Sequence, residues 1–304
     1  MIEQTLENQE SEQRLFIFEE PLLAEDMKVK VYGLDDLAQI QARNKDQYGN
    51  LSVDIPQWNA GTLHVLGRDA RNIDPTNLEA HVSSALHSQA IRNRLCAEDA
   101  MPLTVSGVVE VEGRILAGVR RGYVQRDRLS VIPLGYNDPQ NQPKDQFILE
   151  AFDEVGLPLE LILYETILIL GYQTDPTFTN GLNVVVYARS ALKTYDILAK
   201  HGTALAIAQN AQRQALEEGE SAFVARKRGK KAITTFNELR GKDLPVDAAD
   251  HDPIIFLTDL QIAAVPYHDP FDALANISYP LMGITQGALQ MYSFCLEQGM
   301  LERH

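Results

Sequence analysis

Apolar residues recur along the chain with two different periods, which separate the expected strands from the expected helices. Short alternating or continuous apolar segments are typical of β-strands, and they occur at residues 15–18, 27–32, 62–66, 159–171, 182–189 and 254–257, with a longer β-rich region at 101–134. Apolar residues at helical spacing predict helices at residues 34–43, 78–95, 190–220 and 279–301. Strands interleaved with helices predict an α/β fold.

A glycine turn, a polar loop and an acidic helix are expected at residues 135–157. Glu150, Asp153 and Glu154 stand at positions i, i+3 and i+4, which share one face of a helix. Like charges at this spacing repel one another, and a divalent cation would offset the repulsion. The residues that suit the start and the end of this helix are Asn141 or Gln142, Pro143 and Gly156.

This stretch resembles the Nudix box, whose consensus is G-x5-E-x7-R-E-U-x-E-E-x-G-U, with U a bulky aliphatic residue. When the two are aligned without gaps, the matching positions are Gly135, Glu150, Glu154, Gly156 and Leu157. Asp153 replaces the first glutamate of the acidic pair. The departures from the consensus are Asn141, where the family has glutamate, and Leu149, where it has arginine.

The residues around this stretch resemble the same family. Residues 105–119, followed by Arg120 and Arg121, look like its paired strands ending in a basic residue, and residues 132–135 resemble its Pro-Gly-Gly entry. The resemblance implies a Nudix-like α/β/α sandwich with a mixed sheet at residues 101–304, interrupted by an insertion near 190–250. Residues 1–100 would then form an N-terminal α+β extension.

The resemblance also implies an activity. Nudix hydrolases cleave the diphosphate of a nucleoside diphosphate linked to another moiety, so the expected partner is a small phosphorylated metabolite and the expected cofactor is Mg²⁺ or Mn²⁺. By position, the catalytic residues would be Glu150 and Glu154, the metal ligands Glu150, Asp153 and Glu154, and the substrate-binding residues Arg120, Arg121 and Gly135. Family members use a further acid beyond the box, and the candidates here are Asp175, Asp196, Glu217 and Glu218.

The two departures leave other functions open. In the family the box arginine pairs with the helix carboxylates, so Leu149 removes a nearby positive charge, and the carboxylate pKa values should rise. The alternative is a catalytically impaired Nudix-fold module that binds a nucleotide or a protein partner. A third alternative is an unrelated α/β protein whose acidic helix imitates the box; its structure would lack the strand-loop-helix arrangement.

A cluster of five cationic residues lies at positions 226–231. It is expected either as a solvated loop that balances neighbouring acids or as a loop that faces phosphate. The chain as a whole is acidic, with a formal net charge of −15 at pH 7. That balance argues against general binding to nucleic acid or to an anionic membrane, since both require a basic face.

The remaining composition indicates a cytoplasmic protein. The two cysteines, Cys96 and Cys295, offer neither a disulfide framework nor zinc-ligand spacing. The first residues are polar and acidic, unlike a signal peptide, and no apolar run approaches the roughly 20 residues of a membrane span. A homodimer is compatible with an N-terminal extension that completes a partner's site.

Overall fold

The computed structural model describes residues 1–8, 11–48, 60–66, 73–74, 76–92, 100–121, 126–158, 162, 167–175, 181–264 and 279–302. Within these ranges the strands are β1 (Ile2–Asn8), β2 (Ser11–Leu23), β3 (Lys28–Tyr32), β4 (Gly61–Leu66), β5 (Asn77–Ser84), β6 (Ala100–Val111), β7 (Arg114–Arg120), β8 (Leu129–Val131), β9 (Leu134–Tyr136), β10 (Leu168–Asp175), β11 (Gly181–Ser190) and β12 (His251–Leu257). The α-helices are α1 (Leu37–Tyr48), α2 (Ala85–Arg92), α3 (Pro143–Val155), α4 (Thr194–Glu217), α5 (Ala222–Arg240), α6 (Asp259–Ala264) and α7 (Gly283–Glu297), with short 3-10 helices at Leu34–Asp36 and Ala248–Asp250.

The strands form one mixed sheet, which confirms the α/β class. Its main path runs β1-β2-β10-β11-β6-β4-β5-β3; β9 pairs with β6, and β7 pairs with β6, β8 and β12. The β6–β11 and β3–β5 pairs are parallel, and the other pairs are antiparallel. Strands from residues before 100 therefore belong to the same sheet as later strands, while the division at residue 100 stays a prediction.

Helices cover both faces of the central strands, because alternate residues of a strand point to opposite faces. In β11, Val184 and Val186 belong to one hydrophobic cluster with Phe147 of α3. Val185 belongs to a second cluster with Leu289 of α7. The acidic helix α3 is thus fixed against one face of the sheet, and α7 packs on the other.

Most strands and helices expected from the sequence are confirmed, with two corrections. Residues 78–95 are not one helix: β5 occupies Asn77–Ser84 and α2 occupies Ala85–Arg92, while residues 93–99 lie outside the described part of the chain. Leu78, Val82 and Leu86 are spaced by four, and this spacing fits a helix face and a strand face equally. The observed burial follows the strand period, because Leu78, Ala80 and Val82 are buried and the residues between them are exposed.

The second correction concerns residues 159–171, where a single buried strand was expected. Strand β10 begins only at Leu168 and continues to Asp175, beyond the expected end at residue 171. Residues 159–161 and 163–166 lie outside the described residues. Separately, none of the helices in the described part of the chain is long and apolar enough to cross a membrane.

Candidate functional site

Helix α3 begins and ends at the residues that the sequence indicates. Gln142 is the N-cap residue and Pro143 occupies the first turn, where its missing N–H costs no helical hydrogen bond. Gly156 ends the helix in the left-handed region, with φ 68°, which glycine adopts without steric cost. Its N–H donates to the Phe152 carbonyl at 2.8 Å. These local signals set the position of the acidic face.

Strand β9 runs directly beside that acidic face, so the strand-loop-helix arrangement is present. The backbone N–H of Leu134 donates to Oε2 of Glu154 at 3.2 Å. A Cβ atom on Gly135 would overlap with the carboxylate of Glu150. Position 135 therefore has to be glycine for the Glu150 carboxylate to lie where it does.

A chain of amides holds the Glu150 side chain from the loop side. Gln146, one helical turn earlier, donates from Nε2 to Oε1 of Glu150 at 2.7 Å. The Oε1 atom of Gln146 accepts from the Asn141 side chain and from the Asp138 backbone N–H, both at 3.0 Å. Asn141 stands where the Nudix consensus has glutamate. It orients Gln146, and Gln146 in turn orients Glu150.

The segment near 190–250 brings a further acid to this face. Its helices α4 and α5 lead to the turn at Asp247, whose backbone N–H donates to the Asp153 carbonyl at 2.8 Å. Three of the four predicted distal acids belong to α4 or its end: Asp196 lies in the first turn, Glu217 is exposed in the last turn, and Glu218 is the C-cap residue. The side chain of the fourth, Asp175, lies outside the described part of the chain. Asp247 is the acid from this segment that contacts α3, and it was not among the candidates from the sequence.

The cationic cluster at residues 226–231 lies within helix α5, so both expectations of a loop there are wrong. Arg226 and Lys230 are one turn apart and share a helix face. Arg226 forms an ion pair with Asp250, and Lys230 forms one with Asp247 and lies 3.8 Å from Asp250. The cluster therefore places positive charge beside the acids of the site.

Burial dominates the electrostatics of the carboxyl groups. It raises the pKa of Glu150 from 4.5 to about 7, and Asp247 and Asp153 add to the shift, while the Gln146 hydrogen bond and Lys230 oppose it. Burial, with Asp247, raises the pKa of Asp153 to about 6, again opposed by Lys230. Burial, followed by repulsion from Glu150, raises the pKa of Glu154 well above its ordinary value.

Two nitrogen-bearing side chains, one half-buried and one buried, flank Glu154. The guanidinium of the half-buried Arg120 opposes the rise in the pKa of Glu154, and its buried Nε atom has no hydrogen-bond partner among the described residues. His251, opposite Arg120 in the β7–β12 pair, has no hydrogen-bond partner on either ring nitrogen in the part of the chain that the structure describes. Its Nδ1 atom lies 3.7 Å from Oε1 of Glu154, and burial, then Arg120, lowers its pKa well below 6.5. Burial therefore favours the neutral imidazole.

The positive charge that Leu149 cannot supply comes from elsewhere in the fold. Leu149 is 44% exposed at the protein surface. Lys230, from α5, opposes the raised pKa values of Glu150 and Asp153, and Arg120, from β7, opposes that of Glu154. The expected rise in the carboxylate pKa values is present, but burial is its largest cause.

The structure brings together most of the predicted site residues and separates one. Glu150, Asp153, Glu154, Gly135 and Arg120 lie around the end of β9 and the start of β12, as described above. Arg121 lies apart: its Nε donates to the Asp252 carbonyl at 2.6 Å, and its Nη1 pairs with Asp127.

The donor set suits a hard divalent cation, although it is not assembled around one. Carboxylate oxygens are the ligands that Mg²⁺ and Mn²⁺ prefer, and the mutual repulsion of Glu150, Asp153, Glu154 and Asp247 is the charge imbalance that a cation would relieve. Among the residues that the structure describes, no three His, Cys, Asp or Glu side chains converge as a ready-made metal site. A bound cation would therefore have to draw the carboxylates together.

No protein-family model matches this chain, and no curated protein matches it either. Membership of the Nudix family remains a prediction from residues 135–157 and the residues that flank them.

Replacing Gly135 with alanine is expected to weaken divalent-cation binding at least about tenfold, the lower end of the loss seen when a ligand's supporting partner is removed. The new Cβ would overlap with the Glu150 carboxylate and force it out of place. Mn²⁺ titration of Gly135→Ala measures the effect. Gly202→Ala on α4 is the matched control, since a Cβ there meets nothing within 4 Å. Equal affinity in Gly135→Ala and wild type would contradict the role of this contact.

The metal-free protein is expected to lose stability through Glu150 as pH rises from about 4.5 to about 7. In this window the folded state binds more protons at Glu150 than the unfolded state does, so the free energy of unfolding falls with rising pH. The buried His64 and His251 have lowered pKa values and act in the opposite direction. The difference between wild type and Glu150→Gln isolates the carboxyl contribution. Thermal melting in chelator at several pH values measures it, and parallel pH profiles would refute it.

Proposed function

We propose that this chain is a Nudix-type hydrolase that uses Mg²⁺ or Mn²⁺ to cleave the diphosphate of a nucleoside diphosphate linked to another moiety. The observation that carries the proposal is the contact between β9 and the acidic face of α3. Gly135 accommodates the Glu150 carboxylate, and the Leu134 N–H donates to Glu154. The glycine and the glutamates that match the Nudix box are therefore neighbours in space as well as in the motif.

The supporting residues suit the same chemistry. A divalent cation, when bound, neutralises diphosphate charge and lowers the pKa of a bound water. Glu154, Asp153 and Asp247 are the residues that would hold it, since Asp247 lies within electrostatic range of the other two carboxyl groups. Arg120 is half-buried beside Glu154, its Nε atom has no hydrogen-bond partner among the residues that the structure describes, and a guanidinium there would pair with a phosphate oxygen.

Glu150 is the residue to which we assign proton transfer. Its pKa of about 7 before a cation binds lies near neutral pH, where a general base is most effective. Gln146 donates to Oε1 of Glu150 and so fixes the orientation of the carboxylate. The second carboxylate oxygen, Oε2, would accept the proton of the attacking water.

A second candidate function is a module that binds a nucleotide or a protein partner without hydrolysis. The observation that favours it is the engagement of the acids with protein groups: Asp247 is paired with Lys230, and no three metal-binding side chains converge in the described residues. In such a module these ion pairs would stabilise the packing of α5, and the acidic side chains would bind no metal.

The test is release of nucleotide or phosphate from a panel of nucleoside diphosphate compounds, with Mg²⁺ or Mn²⁺ present. The panel contains ADP-ribose, dinucleotides, NADH and nucleotide sugars, and the Glu150→Gln/Glu154→Gln double variant is the inactive control. We expect turnover of at least one compound by the wild type and none by the control. Binding of a panel compound by folded wild-type protein without turnover would favour the binding module.

A further inference from the structure

A cavity of about 500 Å³ lies between the end of β7 and the α4–α5 helical pair. Among the described residues, its lining includes Arg121, Arg126, Arg226, Asp252, Gln209 and Gln212. Cavities of about 300–1,000 Å³ are the usual size for small-molecule sites. None of the four carboxylates of the candidate active site belongs to this lining.

Arginines predominate among the charged side chains of the cavity wall. Among the described residues, these side chains are three arginines and one aspartate, whereas the whole chain has a formal net charge of −15. The carboxylates that pair with the arginines, Asp127 and Asp250, are outside the described lining. A guanidinium has five N–H donors in a planar fork, so an arginine can contact a carboxylate and a ligand oxygen at the same time.

Two arginines of the wall, Arg121 and Arg226, are held in place before any ligand arrives. Arg121 donates from Nε to the Asp252 carbonyl at 2.6 Å and pairs with Asp127. Arg226, on helix α5, forms an ion pair with Asp250. Helix α5 approaches α4 closely at Gly229, where a Cβ atom would lie 2.8 Å from Nε2 of Gln212. Guanidinium groups fixed in this way lose little side-chain entropy when they bind an anion.

We infer that this cavity binds the phosphate group of a small phosphorylated metabolite. The guanidinium groups of Arg121, Arg126 and Arg226 supply the planar, charged donors that match phosphate oxygens. Gln209 and Gln212 add carboxamides, which both donate to and accept from sugar hydroxyls, and Leu205 contributes an apolar surface. The ligand class is therefore a phosphate ester of a polar, sugar-sized group.

This site goes beyond the proposed function because it needs neither a metal nor hydrolysis. Arg121 alone belongs both to the cavity and to the residues expected to bind the diphosphate substrate. The Arg226–Asp250 pair borders the cavity, and Asp250 also acts on the pKa of Glu154. An anion in the cavity would therefore lie within electrostatic reach of the candidate active site.

The test is calorimetric titration of the full chain with ribose 5-phosphate in chelator, with ribose as the uncharged comparison. We expect ribose 5-phosphate to bind and ribose not to bind. Arg126→Gln should weaken binding about tenfold, the loss expected for one charge-assisted hydrogen bond, and added salt should weaken it further. Arg126 is 70% exposed, so its replacement leaves the fold intact.

Arg213→Gln is the matched control, since Arg213 is an exposed arginine of α4 outside the cavity wall. Its affinity should equal that of the wild type. A second variant, Arg226→Gln, should also weaken binding, with thermal melting used to confirm that it is folded. The inference is overturned if ribose 5-phosphate fails to bind at millimolar concentration, or if Arg126→Gln and Arg213→Gln bind it equally. Because the titration is performed in chelator, neither result bears on the proposed metal-dependent hydrolysis, which the nucleotide panel tests separately.

Discussion

Glu154→Gln is expected to reduce metal-dependent turnover by at least about 100-fold, the upper end of the loss seen for outer residues that only support a ligand. The glutamate is buried, and burial together with Glu150 raises its pKa well above the ordinary value. Without a cation, burial therefore favours its neutral, protonated form, and glutamine has nearly the same shape. The substitution removes the ability to carry charge for a cation while preserving the packing.

The readouts for this variant are turnover of whichever panel compound the wild type hydrolyses and the thermal melting temperature in chelator. Melting should be unchanged or slightly higher, since a neutral amide replaces a costly buried acid. Glu217→Gln, an exposed glutamate of α4, is the control and should keep full activity. Wild-type turnover in Glu154→Gln would remove this residue from the mechanism.

Phe147→Ala is expected to lower the free energy of unfolding by about 3–5 kcal/mol, the usual loss for a large buried aromatic side chain. Phe147 is fully buried in the cluster between α3 and the sheet. Its ring lies against Gly107 of β6, where a Cβ would come within 2.5 Å of Cε2. The deletion would leave a cavity beneath the helix that carries the acidic face.

Urea denaturation of Phe147→Ala and of Leu149→Ala separates packing from helix propensity. Leu149 is on the same helix but 44% exposed, so its replacement should change the stability by no more than about 0.5 kcal/mol. Similar losses in the two variants would mean that α3 is not anchored through Phe147.

The sequence was sufficient for the fold class and for the acidic helix, because both depend on local patterns. Pro143 at the start of α3 and Gly156 at its end are visible in the sequence, and the structure places them in those roles. The pattern failed at residues 78–95, where residues spaced by four satisfy both periodicities. There the pairing of β5 with β3 and β4 decides the structure, and no local window contains that information.

The site was predictable only as far as the motif extends. Asp247 and Lys230 lie far beyond residues 135–157 and reach α3 because α4 and α5 fold back on one another. The cationic run in the sequence was the available signal for Lys230, but its helical setting and its acidic partners depend on long-range packing. The amide chain from Asn141 through Gln146 to Glu150 likewise appears only when the loop and the helix are seen together.

Mn²⁺ titration tests directly whether the carboxylates of α3 bind a divalent cation, and it requires no knowledge of the substrate. The electron paramagnetic resonance signal of free Mn²⁺ would be followed as wild type or the Glu150→Gln/Glu154→Gln variant is added. We predict that wild-type protein removes the signal at micromolar to millimolar Mn²⁺ and that the folded variant does not. Equal binding by the two proteins, or none by folded wild type, would show that these carboxylates do not hold the cation.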